Sequence, residues 1–149
     1  MEPIRPPAGA RVLVTRRETF AAAHRLHNPA WSDARNRETF GLCNNPNGHG
    51  HNYVLELTVS GTIDPETGYV VDLKVLRDLI REHLISKVDH RHLNLDVDFL
   101  AGVNPTAENL AVAFWTVLNE QLGAHGLRLH RIKLHETENN VAEYAGEID

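Results

Sequence analysis

The chain has 149 residues, of which 42% are hydrophobic and 23% charged, and its formal net charge is −5 at pH 7. These values describe one ordinary globular domain, and the acidic balance without a basic cluster argues against a nucleic-acid surface. A single cysteine excludes an internal disulfide, and no apolar run approaches membrane length, so we expect a cytoplasmic protein with no membrane partner.

The first half of the chain predicts two strands joined by a long loop. Residues 1–10 lack the apolar core of a signal peptide and are expected to form a disordered lead-in to a single domain over residues 11–149. Alternating and β-branched residues predict the first strand over residues 11–24. Residues 28–50 are rich in Asn, Pro, Asp and Gly and predict a loop of the length that is usually functional or disordered. The second strand centres on the alternating Leu55, Leu57 and Val59.

The second half predicts two helices and then two strands. The first helix has apolar residues at helical spacing: Leu73, Leu76, Ile80 and Leu84. The second begins near Thr106, a candidate N-cap, and ends at Gly123. Residues 128–136 and 141–144 then predict the third and fourth strands.

This ββααββ order predicts an α+β domain, with a four-stranded antiparallel sheet and two helices packed on one of its faces. The other face and both edges of such a sheet remain exposed, and exposed edges pair with other chains. We therefore expect self-association, and the alternative is a monomer with a polar outer face.

Three histidines could form a metal site. His49 and His51 project to the same side of an extended segment, because side chains in a strand alternate with period two. His24, near the end of the first strand, reaches them if the first two strands pair antiparallel. Three imidazoles and an open position suit a catalytic zinc, although other borderline metals bind the same ligands. The alternative is a set of surface histidines, since the chain has ten.

The single cysteine, Cys43, allows three interpretations: a fourth, structural zinc ligand, a small buried apolar residue, or a thiolate acting as base or nucleophile. Its Asn- and Gly-rich setting argues against a core position. Asp89 beside His90 could orient an imidazole toward the thiol, as in catalytic triads, or form a solvated helix end. Glu136, at a strand end, is either a surface carboxylate or a buried acceptor.

Six collinear segments between Phe20 and Tyr144 resemble the successive motifs of the 6-pyruvoyltetrahydropterin synthase family. They are FAAAHRLHN, GLCNNPNGHGHNY, GTIDPETGYVVDL, VDHRHLNLDV, PTAENLAV and LHETENN. The resemblance implies the tunnelling fold, in which the sheets of three subunits join into a barrel and two trimers stack as a homohexamer. It also implies a lyase of tetrahydrobiopterin-type biosynthesis that converts 7,8-dihydroneopterin triphosphate into 6-pyruvoyl-tetrahydropterin and releases triphosphate.

The resemblance assigns roles to particular residues. One zinc ion per subunit would be held by His24, His49 and His51, and would polarise the side-chain oxygens of the substrate. Cys43 matches the proton-abstracting thiol of the family, and Asp89 and His90 match its relay partners. Glu136 matches the carboxylate that binds the pterin ring, while Thr106 and Glu108 match residues of the pocket near that ring.

Three alternatives remain open at this level. Queuosine-pathway 6-carboxytetrahydropterin synthases use the same substrate but also remove a two-carbon fragment, and they typically have a shorter spacing between the cysteine and the His-Gly-His segment. A non-catalytic zinc- or pterin-binding oligomer would not need Cys43, Asp89 and His90. A structural zinc module would use Cys43 as a direct ligand.

Overall fold

The computed structural model describes residues 1–147 and shows an α+β domain, as the sequence predicts. Its strands are β1 (Arg11–His24), β2 (His49–Thr62), β3 (Arg91–His92), β4 (Arg128–His135) and β5 (Val141–Tyr144). Its helices are α1 (Asp33–Phe40), α2 (Leu73–Ile80), α3 (Ser86–Val88) and α4 (Ala107–Ala124). None of the helices in this range is long and apolar enough to cross a bilayer.

The predicted antiparallel pairing of β1 with β2 is confirmed along the whole length of both strands. The register runs from Arg11 opposite Thr62 to His24 opposite His49. Strand β4 pairs antiparallel with β2, and β5 pairs antiparallel with β4. Two long strands in this register bring the end of β1 directly against the beginning of β2.

The sheet has five strands in the order β3-β1-β2-β4-β5, one more than the four expected. The additional strand, β3, has only two residues and runs parallel to β1 at Ala22 and Ala23. A two-residue strand is too short to show a periodic pattern in the sequence. Its pairing with β1 depends on the position at which the chain leaves α3.

Helices α2 and α4 pack on one face of the sheet, as predicted. Helix α2 continues through a π-helical turn, Arg81–Ile85, into α3. Helix α4 begins as expected after Thr106, whose hydroxyl accepts a hydrogen bond from the Asn109 backbone N–H at 3.2 Å. Fully buried side chains from both helices and β2 form the core, including Leu55, Leu57, Val59, Leu76, Ile80, Leu110, Phe114 and Leu118. Leu73, expected on the apolar helix face, is instead half-exposed at the first position of α2.

The predicted loop over residues 28–50 contains a helix that its composition conceals. Helix α1 begins after Ser32, whose hydroxyl accepts from the Arg35 backbone N–H at 3.2 Å, and Asp33 occupies the first turn. The chain then forms a 3-10 turn, Gly41–Asn44, before entering β2. The N-cap Ser32 with an acidic residue in the first turn was the available signal for this helix.

Candidate active site

The three histidines predicted as metal ligands meet at one end of the sheet. Their Nε2 atoms lie 3.1 Å apart between His24 and His49, 2.9 Å between His49 and His51, and 3.1 Å between His24 and His51. Tetrahedral zinc with bonds of about 2.0–2.1 Å separates nitrogen ligands by roughly 3.3 Å, close to this spacing. Within residues 1–147 this is the one cluster with metal-ligand geometry, and it contains no cysteine or carboxylate.

The donor set fits a divalent metal ion. The Nδ1–H group of His24 donates to the Pro105 carbonyl oxygen at 2.8 Å, so that its Nε2 atom presents a lone pair to the cluster. Burial is the largest cause that lowers the pKa of His24 and of His51, and the Glu136 carboxylate partly opposes it in both. Neutral imidazoles are the form that a metal binds.

Gly48 brings the beginning of β2 against the end of β1. It has φ of +72°, and a Cβ atom there would lie 2.9 Å from the His24 carbonyl oxygen and 3.0 Å from His92 Nε2. Only glycine accepts both this backbone conformation and this close approach. The close approach of His49 to His24 therefore depends on Gly48, the residue that precedes His49.

Cys43 lies in the 3-10 turn Gly41–Asn44, is half-buried and is outside the group of metal ligands. Its carbonyl oxygen accepts a hydrogen bond from the Leu26 backbone N–H at 2.9 Å, two residues after His24. This position does not support Cys43 as a fourth ligand or as a core residue. The thiol is not among the metal ligands, and its turn is bonded to the chain that follows His24.

Asp89 and His90 form the predicted carboxylate–imidazole pair. Their side chains meet at 3.0 Å between Asp89 Oδ2 and His90 Nδ1, while Asp89 Oδ1 accepts from the Ala21 backbone N–H at 2.9 Å. The Ala21 hydrogen bond is the largest cause that lowers the pKa of Asp89, and the contacts with His90 lower it further. His90 is 82% exposed and, within residues 1–147, neither it nor Asp89 is hydrogen-bonded to Cys43.

Glu136 is half-buried where β4 ends and lies between two clefts. One cleft, of about 770 Å³, is also lined by Thr106 and Glu108, so that the three predicted substrate-binding residues share it. The other, of about 760 Å³, is lined by Glu136 together with His51. The structure therefore places Glu136 beside both the metal-ligand cluster and the predicted pterin pocket.

Tyr53 is a residue of this site that the sequence analysis missed. It is fully buried, and its hydroxyl lies 3.3 Å from His24 Nδ1. Burial is the largest cause that raises the pKa of Tyr53, and electrostatic interactions with Glu136 and Cys43 raise it further, which keeps the phenol neutral. The period-two pattern that pairs His49 with His51 extends to residue 53 and could have identified it.

The 6-pyruvoyl tetrahydropterin synthase family model matches residues 13–147 of the chain. Proteins named 6-pyruvoyl tetrahydrobiopterin synthase from Drosophila melanogaster and Homo sapiens are 47% and 46% identical over 134 residues. These matches cover 90% of this chain in both cases, and 79% and 91% of the two relatives.

A solved structure of Caenorhabditis elegans 6-pyruvoyl tetrahydropterin synthase superposes with a TM-score of 0.87 at 40% identity, covering 93% of this chain and 98% of that one. A protein from Archaeoglobus fulgidus named as a putative 6-carboxy-5,6,7,8-tetrahydropterin synthase is 33% identical over 95 residues. This match covers only 64% of this chain and 73% of that protein. The sequence matches and the fold together show that the chain belongs to the 6-pyruvoyl tetrahydropterin synthase family.

Proposed function

We propose that the chain is a zinc-dependent lyase that converts 7,8-dihydroneopterin triphosphate into 6-pyruvoyl-tetrahydropterin and triphosphate. The observation that carries this proposal is the shared position of Glu136. This carboxylate lines a cleft with the metal ligand His51 and a second cleft with Thr106 and Glu108. A pterin bound to Glu136 would thus present its side chain next to the metal ligands.

His24, His49 and His51 would hold one zinc ion per subunit through their Nε2 atoms. The hydrogen bond from His24 to Pro105 fixes one imidazole in the tautomer that ligation requires. Bound zinc would supply Lewis acidity toward the side-chain oxygens of the substrate. Three histidine ligands leave a fourth coordination position for those oxygens.

Glu136 would bind the pterin ring. The guanidine-like edge of a pterin carries two parallel donors, which match the two oxygens of a carboxylate. Thr106 and Glu108 line the same cleft, although the Thr106 hydroxyl is already engaged as the N-cap of α4. We therefore assign the main binding role to Glu136.

Cys43 would remove a proton from a side-chain carbon of the substrate, and Asp89 and His90 would move that proton onward. The bond from carbon to the triphosphate oxygen then breaks, and the leaving triphosphate takes the electron pair. The enol left by this elimination becomes one carbonyl without net oxidation. The second carbonyl forms when the hydroxyl-bearing carbon next to the ring loses two hydrogens, and the dihydropterin ring gains two, so that no external oxidant or reductant is consumed.

The alternative product is 6-carboxy-tetrahydropterin. The pyruvoyl product is favoured by the insert Asn44–Gly48 between Cys43 and His49, and by the length and identity of the matches to the pyruvoyl enzymes. Incubation of the zinc-loaded protein with 7,8-dihydroneopterin triphosphate, followed by mass analysis, tests this choice. We expect the mass of the pyruvoyl compound. The mass of the carboxy compound, in which water has replaced the lost two-carbon fragment, would assign the carboxy activity, and unchanged substrate would leave only a binding function.

A further inference from the structure

Residues 25–28, directly after the metal ligand His24, have no partner strand, because β1 ends at His24. Backbone groups that leave a sheet need other partners. Here asparagine side chains supply them, one to each residue, from four separate segments. The pairs are Asn94 with Arg25, Asn44 with Leu26, Asn104 with His27 and Asn36 with Asn28.

Two of these asparagines hold the segment to the loops that follow β3 and precede α4. Asn94 pairs with Arg25 at two points, accepting from its N–H and donating to its carbonyl oxygen, both at 2.8 Å. The His27 backbone N–H donates to Asn104 Oδ1 at 3.1 Å. Residues 25–27 are therefore a fixed support that continues directly from His24.

Asn44 connects this support to the cysteine turn. Its side chain is only 5% exposed, and its amide donates to the Leu26 carbonyl oxygen at 2.8 Å and to His27 Nδ1 at 3.0 Å. Two further hydrogen bonds join the same two segments. The Leu26 N–H donates to the Cys43 carbonyl oxygen at 2.9 Å, and the Arg25 Nε–H donates to the Asn44 carbonyl oxygen at 3.1 Å.

We propose that Asn44 is a positioning residue, whose side-chain amide holds the turn that carries Cys43 against residues 25–27 and so sets the place of the thiol relative to His24. Cys43 and Asn44 are adjacent, and the buried amide is the one side-chain contact by which Asn44 reaches Leu26 and His27. The inference rests on the proposed role of Cys43 as the proton-abstracting group. It adds a residue to which no catalytic or binding role has been given.

Asn44→Ala tests the proposal, because Cys43 is the sole cysteine and its alkylation reports on the placement of one thiol. We expect iodoacetamide to react faster with the zinc-loaded variant in the absence of substrate, because the turn opens, while zinc content stays at that of the unaltered protein. With substrate, kcat should fall by about 10–100-fold with KM little changed, since displaced catalytic groups slow the reaction without weakening binding.

Thr58→Ala is the matched control. Thr58 is 1% exposed, and its hydroxyl bonds Thr15 at 2.7 Å on a part of the sheet away from the site. We expect this variant to unfold at a lower temperature with unchanged alkylation and kcat. If Asn44→Ala does not fold, Asn44→Ser retains one short donor and should give a smaller change in the same direction.

Equal alkylation rates and equal kcat in Asn44→Ala and the unaltered protein would overturn the proposal. The same changes in Thr58→Ala would also overturn it, because they would then follow from lost stability. The alkylation measurement uses no substrate, so it tests the placement of the thiol even if mass analysis of the product contradicts the proposed function.

Discussion

At the scale of single residues, the site is a place where three imidazole nitrogens face each other. The Nε2 atoms of His24, His49 and His51 lie 2.9–3.1 Å from one another. Burial lowers the pKa of His24 and of His51, so these two rings are less readily protonated. A bound cation converts the same arrangement into three bonds. Cys43, Asp89 and Glu136 are not members of this cluster.

Cys43→Ala and His49→Ala should therefore differ. Cys43 lies outside the ligand cluster, so Cys43→Ala should keep about one zinc per chain and the fold, but lose roughly 10²–10⁴-fold in turnover as the base is removed. His49→Ala should lose both metal and activity. Elemental analysis beside initial rates measures both properties. Loss of zinc from Cys43→Ala would identify the thiol as a ligand and contradict its role as the base.

Glu136→Gln should weaken substrate binding by about 1.5–3 kcal/mol, because charge-assisted hydrogen bonds to the pterin become neutral ones. Glu136 is not in the ligand cluster, so the zinc content should not change. Titration calorimetry with a non-reacting pterin measures the affinity directly. If Glu136→Gln binds the pterin as tightly as the unaltered protein, Glu136 is a surface carboxylate.

Asp89→Asn should have an effect on stability that disappears in acid. The pKa of Asp89 is lowered in the folded state, so its carboxylate stabilises the fold above its unfolded pKa near 3.8, and this contribution is lost as pH falls through the folded value. Denaturant unfolding at several pH values should show a difference between the unaltered protein and Asp89→Asn at pH 7 that shrinks below about pH 4. A difference in unfolding free energy that stays constant with pH would show that the charge of Asp89 does not cause the stabilisation.

At the scale of elements, the site depends on the register of β1 with β2. The pairing of His24 with His49 puts ligands from two strands on the same face, and a shift by one residue would move them to opposite faces. The turn between α1 and β2 must place His49 opposite His24. Gly48 is the residue that allows the backbone to approach His24.

Gly48→Ala should weaken metal binding as well as stability. Gly68→Ala is the matched control, because Gly68 has a similar φ of +76° but no atom within 4 Å of the position that a Cβ would take, whereas a Cβ at Gly48 meets the His24 carbonyl oxygen at 2.9 Å. Both variants should lose about 1–2 kcal/mol from the left-handed backbone. Only Gly48→Ala should also lose zinc affinity, measured by competition with a chelator. Equal zinc affinities in the two variants would contradict this.

At the scale of the whole molecule, a single chain leaves part of the proposed site open. His90 is 82% exposed, and the chain has large apolar side chains at its surface, with Leu42 92% and Leu95 79% exposed. The sheet also ends in the short edge strands β3 and β5. Exposed edges and apolar residues of this kind are covered when copies of a chain associate.

We predict a homohexamer with active sites that span subunits. Light scattering at micromolar concentration should give about six times the 16.7 kDa mass of one chain. A trimer would give half that value and would contradict the stacking of two trimers, and a mass near 16.7 kDa would contradict self-association altogether.

Periodic patterns in the sequence were enough to predict β1, β2, β4, β5, α2 and α4, and to place His49 and His51 on one side of a strand. These features depend on neighbours within a few residues, where side-chain period and capping act directly. The assignment of Cys43, Asp89, His90 and Glu136 came from family motifs, and their roles stay predictions.

Only the tertiary structure decided how distant segments meet. The two-residue strand β3, the asparagine bonds to residues 25–28 and the clefts on either side of Glu136 all join parts of the chain that are far apart in sequence. An asparagine has the same local preference for turns whether or not its amide meets a distant carbonyl. The partner is set by how the strands and helices pack, so no local pattern in the sequence records it.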